Sequence, residues 1–156
     1  MAAIHLLLDE YAQSHRKGTN KTIHWICVPA IMVSLVGLIW SIPVPTFFRN
    51  LPFLLNWGIL FVLLAIGYYI VLSPRLALGM VLVSSFFLWI VYQLDQIQAL
   101  PLWAISLIIF VLAWIGQFVG HKIEGKKPSF LKDLQFLLIG PVWLLSFIYQ
   151  RLGIKY

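Results

Sequence analysis

The stretch from Leu102 to Gly120, LWAISLIIFVLAWIGQFVG, decides the fold class because it contains no charged residue. A helix needs about 20 apolar residues to cross the hydrocarbon core of a bilayer, and this stretch is close to that length. Three similar stretches precede it, at about residues 22–41, 52–72 and 76–94. Because an open strand edge in lipid would leave backbone groups unpaired, these segments are expected to be helices. The sequence therefore predicts an all-α integral membrane bundle, built as a single domain over residues 1–156.

The composition of the whole chain also indicates that lipid is its main solvent. Of the 156 residues, 62% are hydrophobic and only 10% are charged, whereas a soluble domain carries about 25% charged residues. The net charge of +6 does not indicate a nucleic-acid partner, because charge is scarce between Thr22 and His121, where it is carried only by Arg49, Arg75 and Asp95. The other charges flank the predicted spans, as basic residues do beside a cytoplasmic membrane surface.

The two ends of the chain differ from the four spans. Residues 3–16 predict an amphipathic helix on the membrane surface, whose apolar side consists of Ile4, Leu7, Leu8 and Tyr11. Residues 131–152 are apolar again but contain Gly140-Pro141. This last segment is open to three interpretations, namely a fifth span, a re-entrant hairpin or a surface helix, and we favour partial insertion. The predicted bundle thus has four to five short transmembrane helices.

The lysines and arginines predict the orientation of the bundle. With four spans, every one of them except Arg49 lies on the side of the N-terminus. Basic residues concentrate on the cytoplasmic side of membrane proteins, so we expect the N-terminus and the loop after the fourth span in the cytoplasm. A fifth span would move Arg151 and Lys155 across without reversing this excess. A bacterial inner membrane and the endoplasmic reticulum both fit this pattern.

Side chains with metal-binding chemistry fall at one face of the predicted bundle. His15 and His24 lie before and at the start of the first span, whereas His121 and Glu124 lie at the end of the fourth. Because an even number of spans separates the two pairs, all four side chains are expected on the same side of the membrane. Imidazole and carboxylate ligands suit a borderline metal such as ferrous iron or zinc. The pattern therefore predicts a metal site at this face.

The spacing at the end of the fourth span supports this prediction. Gln117, His121 and Glu124 follow an i, i+4, i+7 pattern, which places them on one helical face. His121 and Glu124 alone have the i, i+3 spacing with which helical carboxylate proteins bind metals. One face of this helix is therefore expected to point at the site.

The spacing before the first span requires a turn in the chain. His15 and His24 are nine residues apart, which is about 13 Å in an unbroken helix, too far for one ion. Gly18, Thr19 and Asn20 are expected to form the turn, and Thr19 or Asn20 is expected to cap the first span. Asn20 and His24 have the i, i+4 spacing of neighbours on a helix.

Several functions are compatible with these residues alone. A ferrous-iron oxygenase and a zinc lipid hydrolase would use the same ligands, and a non-enzymatic lipid-binding or scaffold protein would need no metal at all. Basic residues beside the predicted site can attract the carboxylate or phosphate headgroup of a lipid, although they also serve as a topology signal. These residues are Lys122, Lys126 and Lys127.

Two motifs at these positions resemble those of a known family. The first is Tyr11–Pro29, YAQSHRKGTNKTIHWICVP, and the second is Trp114–Phe130, WIGQFVGHKIEGKKPSF. Together they resemble the motifs of the membrane 2-hydroxy fatty acid dioxygenase family, long catalogued as a domain of unknown function. The resemblance continues through Gly140-Pro141 and so covers nearly the whole chain.

The resemblance implies a membrane enzyme that uses Fe(II) and O2 to shorten a long-chain 2-hydroxy fatty acid by one carbon, an α-oxidation. The side chains that it implies as iron ligands are those of His15, His24, His121 and Glu124. Glu124 is implied alternatively as a base beside the ligands. Asn20 and Gln117 are implied to orient the ligands or the substrate.

Overall fold

The computed structural model describes residues 2–13, 15–46, 56–125 and 136–156, and six α-helices account for most of these ranges. In chain order they are α1 (Ala2–Ala12), α2 (Gly18–Trp40), α3 (Trp57–Leu72), α4 (Pro74–Asp95), α5 (Leu102–Glu124) and α6 (Ile139–Arg151). No strand occurs in the part of the chain that the structure describes. The prediction of an all-α fold is therefore confirmed for these residues.

Three of the helices are long and apolar enough to cross a membrane, namely α2, α4 and α5. A helix of 22 or 23 residues has a length of about 33 Å, which matches the hydrocarbon core of a bilayer. α3 is apolar but has only 16 residues. The predicted second span begins earlier, and its first part, residues 52–55, lies outside the described residues. These findings support an integral membrane protein, whereas the span count of four to five stays a prediction.

The outer surface of the bundle is suited to lipid. Val71, Leu78 and Leu82, at the end of α3 and on α4, each expose more than 70% of their surface. Exposure of such side chains to water would cost about 1.5–3 kcal/mol each, whereas lipid tails impose no such penalty. The exposed apolar side chains of the long helices therefore agree with a membrane as their surroundings.

Helices α2 and α5 are antiparallel neighbours and make the most extensive helix contact in the fold. Small residues bring them together, because a Cβ atom added at Gly116 of α5 would lie only 2.5 Å from Sγ of Cys27. A Cβ atom added at Gly120 would overlap Oδ1 of Asn20. Small residues at a contact let the backbones of membrane helices approach closely. This approach brings the start of α2 against the end of α5.

Helix α6 is shorter than the segment at residues 131–152 that the sequence predicted. It has 13 residues, so its length is about 20 Å, too short to cross a bilayer by itself. Gly140-Pro141 lies in its first turn, where proline is tolerated, and therefore does not interrupt the helix. Residues 139–146 are all buried, and α6 packs against α1, α2 and α4. Its first eight residues thus lie inside the bundle, whereas insertion of this segment into the membrane stays a prediction, and residues 131–135 lie outside the described residues.

Helix α1 ends at Ala12, four residues earlier than the predicted helix at residues 3–16. Its apolar side is the predicted one, since Ile4, Leu8 and Tyr11 are buried and Leu7 is partly buried. This side packs in the same core cluster as Val142 and Trp143 of α6. The early end matters for the site because it leaves His15 in the link between α1 and α2. The position of α1 at a membrane surface stays a prediction.

Candidate metal centre

Three histidines from separate parts of the chain form one buried cluster. His15 lies in the link between α1 and α2, His24 in the second turn of α2, and His121 in the last turn of α5. One ligand atom from each lies within 4.8 Å of the other two. The exposed fractions of the three side chains are only 3%, 0% and 4%. The structure thus brings together the three imidazoles that the sequence singled out.

Hydrogen bonds to backbone carbonyls fix the tautomer of two of these imidazoles. Nδ1 of His15 donates to the carbonyl oxygen of Tyr11 at 2.7 Å. Nδ1 of His24 donates to the carbonyl oxygen of Asn20 at 2.9 Å. A carbonyl oxygen can only accept, so the hydrogen lies on Nδ1 and the lone pair on Nε2. Metal-binding histidines are commonly oriented by such a hydrogen bond from the other ring nitrogen.

Aromatic rings position His15, which has no helix of its own. The ring of Tyr11 stacks on the imidazole, with centroids 4.3 Å apart and planes 16° apart. The ring of Trp143, from α6, also packs against the His15 imidazole, with the two ring centroids 5.1 Å apart. Nothing in the sequence pointed to Trp143, because no spacing relates a residue of α6 to one in the first link. Only the folded chain reveals that α6 takes part in the site.

Glu124 is not a member of the histidine cluster, and its oxygens contact the start of α2 instead. Oε1 accepts the backbone N–H of Arg16 at 3.0 Å. Oε2 accepts the backbone N–H of Lys17 at 3.0 Å and Nδ2 of Asn20 at 3.1 Å. In return, Nζ of Lys17 donates to the carbonyl oxygen of Ile123 at 2.6 Å. We call this exchange between the ends of α2 and α5 the reciprocal cap.

The reciprocal cap corrects the prediction that Thr19 or Asn20 caps α2. The helix begins at Gly18, so both residues lie inside its first turn, and the N-cap residue Lys17 makes no side-chain cap hydrogen bond. A carboxylate from another helix takes that role, and negative charge is favoured at a helix N-terminus. His121 and Glu124, three residues apart on one face of α5, therefore have different contacts. The imidazole belongs to the histidine cluster, whereas the carboxylate binds the start of α2.

Gly125 explains why α5 ends directly after Glu124. Its φ of +78° lies in the left-handed region, and its N–H bonds to the carbonyl of Lys122, inside the helix. Glycine adopts this conformation without the steric penalty that other residues meet, which makes it a common residue just after a helix. The helix end is thus fixed at the position from which Glu124 reaches α2.

The two predicted amide residues occupy different positions. Asn20 is fully buried and connects His24 to Glu124, because its backbone carbonyl accepts from His24 and its Nδ2 donates to Glu124. Gln117 is also buried, one turn before His121. It lines a narrow pocket of about 20 Å³, together with Tyr11, Val28, Ile31, Trp114, Phe136, Leu137 and Gly140. A pocket of this size holds one water-sized molecule.

A larger groove reaches the cluster from the side of α1 and α6, and we call it the α1–α6 groove. Its volume is about 370 Å³, and it is lined by His5, Leu8, Asp9, Ala12, His15, Arg16, Lys21, Trp143, Ser146, Phe147, Gln150 and Tyr156. His15 belongs to both the groove and the histidine cluster. The groove therefore provides a path from the surroundings to the cluster.

The predicted substrate-binding lysines are not the basic residues found at this path. Lys122 is exposed and lines neither of the two pockets, and Lys126 and Lys127 lie outside the described residues. Arg16 and Lys21 line the groove instead. Nothing in the sequence favours them over other lysines and arginines, because both resemble ordinary basic residues flanking the first span.

Long apolar helices and a buried cluster of three histidines are typical of membrane proteins that bind a metal. The candidate metal centre lies near one end of the helical bundle. Comparison with known families is more specific. The family described as "2-hydroxy-palmitic acid dioxygenase Mpo1-like" matches residues 1–152. The chain therefore belongs to the Mpo1-like family, and the resemblance of its two motifs is confirmed. No curated protein and no solved structure matches the chain.

Proposed function

We propose that the protein is an iron(II)-dependent dioxygenase that shortens long-chain 2-hydroxy fatty acids by one carbon. The description of its family supports the reaction class. The observation that carries the proposal is the buried cluster of His15, His24 and His121, whose ligand atoms lie within 4.8 Å of one another. Three imidazoles at this separation fit a single metal ion better than they fit a hydrogen-bonded core. In His15 and His24, Nδ1 donates to a backbone carbonyl, so the lone pair that can bind a metal lies on Nε2.

The donor set suits the proposed metal. Neutral imidazoles bind ferrous iron and zinc alike, and the sole cysteine, Cys27, packs against Gly116 and is not part of the cluster. When bound, Fe(II) would supply oxygen activation and adjacent open positions for the hydroxyl and carboxylate of a 2-hydroxy acid. The three side chains would hold the ion, and their burial would keep bulk water from the reacting groups.

The remaining predicted residues receive proposed roles outside the ligand set. Glu124 is proposed as a positioning residue, since its hydrogen bonds to Arg16, Lys17 and Asn20 hold the start of α2 against the end of α5. Asn20 is proposed to orient the His24 imidazole, because its backbone carbonyl accepts a hydrogen bond from Nδ1 of His24. Gln117 is proposed to orient a small reactant in the narrow pocket that it lines.

The predicted lysines are proposed to act at longer range. Lys122, Lys126 and Lys127 belong to the basic segment at the end of α5, and positive charge there attracts an anionic lipid towards this face of the bundle. The cytoplasmic location of this face is a proposal as well, and it follows from the excess of basic residues on one side of the spans. A bacterial inner membrane and the endoplasmic reticulum both fit this orientation.

Oxygen consumption tests the proposal. The purified protein is loaded with Fe(II), supplied with 2-hydroxypalmitate, and its product is identified by mass spectrometry. We expect consumption of O2 and a fatty acid one carbon shorter, and no consumption with palmitate, which lacks the 2-hydroxyl group. If the lost carbon leaves as carbon dioxide together with one water, one O2 per shortened acid balances the reaction.

The same experiment separates the proposal from its alternatives. Absence of O2 consumption by the iron-loaded protein would overturn it. Cleavage of lipid esters by the zinc-loaded protein would then favour the zinc hydrolase, whose ligands would be the same histidines. Failure to bind either metal would favour a lipid-binding or scaffold protein.

A further inference from the structure

The α1–α6 groove is large enough to bind part of a lipid. Its volume of about 370 Å³ falls in the range of small-molecule sites, about 300–1,000 Å³. It is bounded by α1, the link to α2, the first turn of α2, the part of α6 from Trp143 onwards, and Tyr156. Because His15 lines it, a molecule bound there can reach the histidine cluster without crossing the core.

The lining of the groove is amphipathic. Leu8, Trp143 and Phe147 provide an apolar side, whereas Arg16 and Lys21 provide two positive charges. Asp9 is the single acidic residue that lines the groove. The groove thus has a net positive charge beside an apolar wall, which matches a ligand with one negative headgroup and a hydrocarbon chain.

The basic residues near the site differ in what they bind within the protein. Nζ of Lys17 donates to the carbonyl oxygen of Ile123, so this ammonium belongs to the reciprocal cap. Nζ of Lys21 lies 6.0 Å from the centre of the Phe147 ring, within the distance of a cation–π contact. This contact places the ammonium where the polar and apolar sides of the groove meet. A carboxylate bound there would leave its alkyl chain beside Phe147 and Trp143.

We propose that the α1–α6 groove binds the carboxylate end of a long-chain fatty acid, with Lys21 and Arg16 as its charge partners. The identity of the reacting acid rests on the proposed function, whereas the binding itself does not. The groove selects a free acid, because an alcohol of equal length lacks the charge that the two cations recognise. Lys21 and Arg16 are specificity residues and do not hold the metal.

A binding experiment tests the groove without turnover. Iron-loaded protein in phosphatidylcholine nanodiscs, kept anaerobic, binds cis-parinaric acid, and palmitate or hexadecanol displaces this fluorescent fatty acid. Lys21→Gln is expected to weaken palmitate about tenfold, since it removes a charge-assisted hydrogen bond, and to leave hexadecanol unchanged. Lys21→Arg, which keeps the charge, is expected to retain most of the affinity. Arg16→Gln is expected to weaken palmitate about threefold because Arg16 is exposed.

Arg151→Gln is the matched control. It removes one positive charge from the end of α6, and Arg151 is exposed and does not line the groove. It is expected to leave the affinity for palmitate unchanged. Equal affinities of wild-type protein and Lys21→Gln for palmitate, or an equal loss in Arg151→Gln, would overturn the assignment of the groove.

Turnover measurements separate this proposal from the proposed function. In Lys21→Gln we expect a raised KM for 2-hydroxypalmitate, an unchanged iron content and little change in kcat. Charge-dependent binding of palmitate by a wild-type protein that never consumes O2 would reject the dioxygenase and retain the groove. Consumption of O2 with the same KM in wild-type protein and Lys21→Gln would retain the dioxygenase and reject the groove.

Discussion

The two halves of the candidate metal centre are built differently. On the α2–α5 half, His24 and His121 lie within regular helices that small residues bring into close contact, and the reciprocal cap joins the helix ends. On the α1–α6 half, His15 lies in a link, held by the Tyr11 carbonyl and by the rings of Tyr11 and Trp143.

Backbone geometry thus positions two of the imidazoles, whereas side-chain packing positions the third. The α1–α6 groove opens on the second half, where His15 is among its lining residues. Contacts between helices hold a metal ligand rigidly. Substrate can enter more easily where fewer backbone contacts must break to admit it. This difference makes changes in the residues that support the ligands more damaging for metal binding in the α2–α5 half than in the α1–α6 half.

Removal of an imidazole from the α2–α5 half is expected to have the largest effect. His24→Ala should weaken Fe(II) binding by more than about a hundredfold, since even partners outside the ligand set cost about 10–100-fold. His121→Ala should do the same. The measurement is competition with a chelator of known affinity, with circular dichroism as the check on helix content. A His24→Ala protein that is fully helical and binds Fe(II) normally would contradict the assignment.

Loss of the reciprocal cap is expected to have the second-largest effect on Fe(II) binding. Glu124→Gln replaces an acceptor of backbone N–H groups by an amide that can accept through only one oxygen. We expect Fe(II) affinity to fall about 10–100-fold without being abolished, and helix stability to fall by about 1 kcal/mol as for a lost cap.

Iron binding by Glu124→Gln also tells a positioning residue from a ligand. X-ray absorption of the fully loaded variant should give the same coordination as wild type, since the carboxylate lies outside the cluster. Loss of one oxygen ligand in the variant would instead support Glu124 as a ligand.

Separation of α2 from α5 is expected to have a smaller effect. Gly120→Ala adds a Cβ atom where Oδ1 of Asn20 lies, and such overpacking typically costs about 1–3 kcal/mol. We expect about tenfold weaker Fe(II) binding and a lower unfolding midpoint in denaturing detergent. Gly67→Ala in α3 is the matched control, because nothing lies within 4 Å of its added Cβ atom. A Gly120→Ala protein as stable as Gly67→Ala would refute the close contact.

A change in the α1–α6 half is expected to have the smallest effect on the metal. Trp143→Leu removes the ring against His15, and aromatic contacts are worth about 0.5–1.5 kcal/mol beyond their buried area. We expect Fe(II) binding about threefold weaker. Trp103→Leu, at an exposed position on α5, should leave it unchanged. A loss as large as that of His24→Ala would show that the two halves do not differ as described.

The sequence predicted the parts of the site that depend on helix periodicity. The predicted even number of spans placed His24 and His121 on the same side, and the i, i+4 spacing placed Gln117 one turn before His121. These inferences need only the geometry of a helix and the length of a span. The pairing of His24 with His121 was therefore predictable from the sequence.

The parts that depend on side-chain direction and tertiary packing were not predictable. The i, i+3 spacing of Glu124 from His121 fits a metal ligand and a helix cap equally well, because a residue in either role can lie on the same face at the end of α5. The contribution of Trp143 and the position of Lys21 in the groove depend on where α6 packs. The packing of Ile139–Arg151 as a 13-residue helix was not predictable either, because composition does not show where an apolar helix packs.

Iron X-ray absorption of the loaded wild-type protein tests the central claim most directly, because scattering from imidazole rings counts the histidines bound to the metal. We expect one iron per chain with three imidazole ligands, those of His15, His24 and His121. Iron bound by fewer than three imidazoles, or a folded protein that binds no iron, would contradict it.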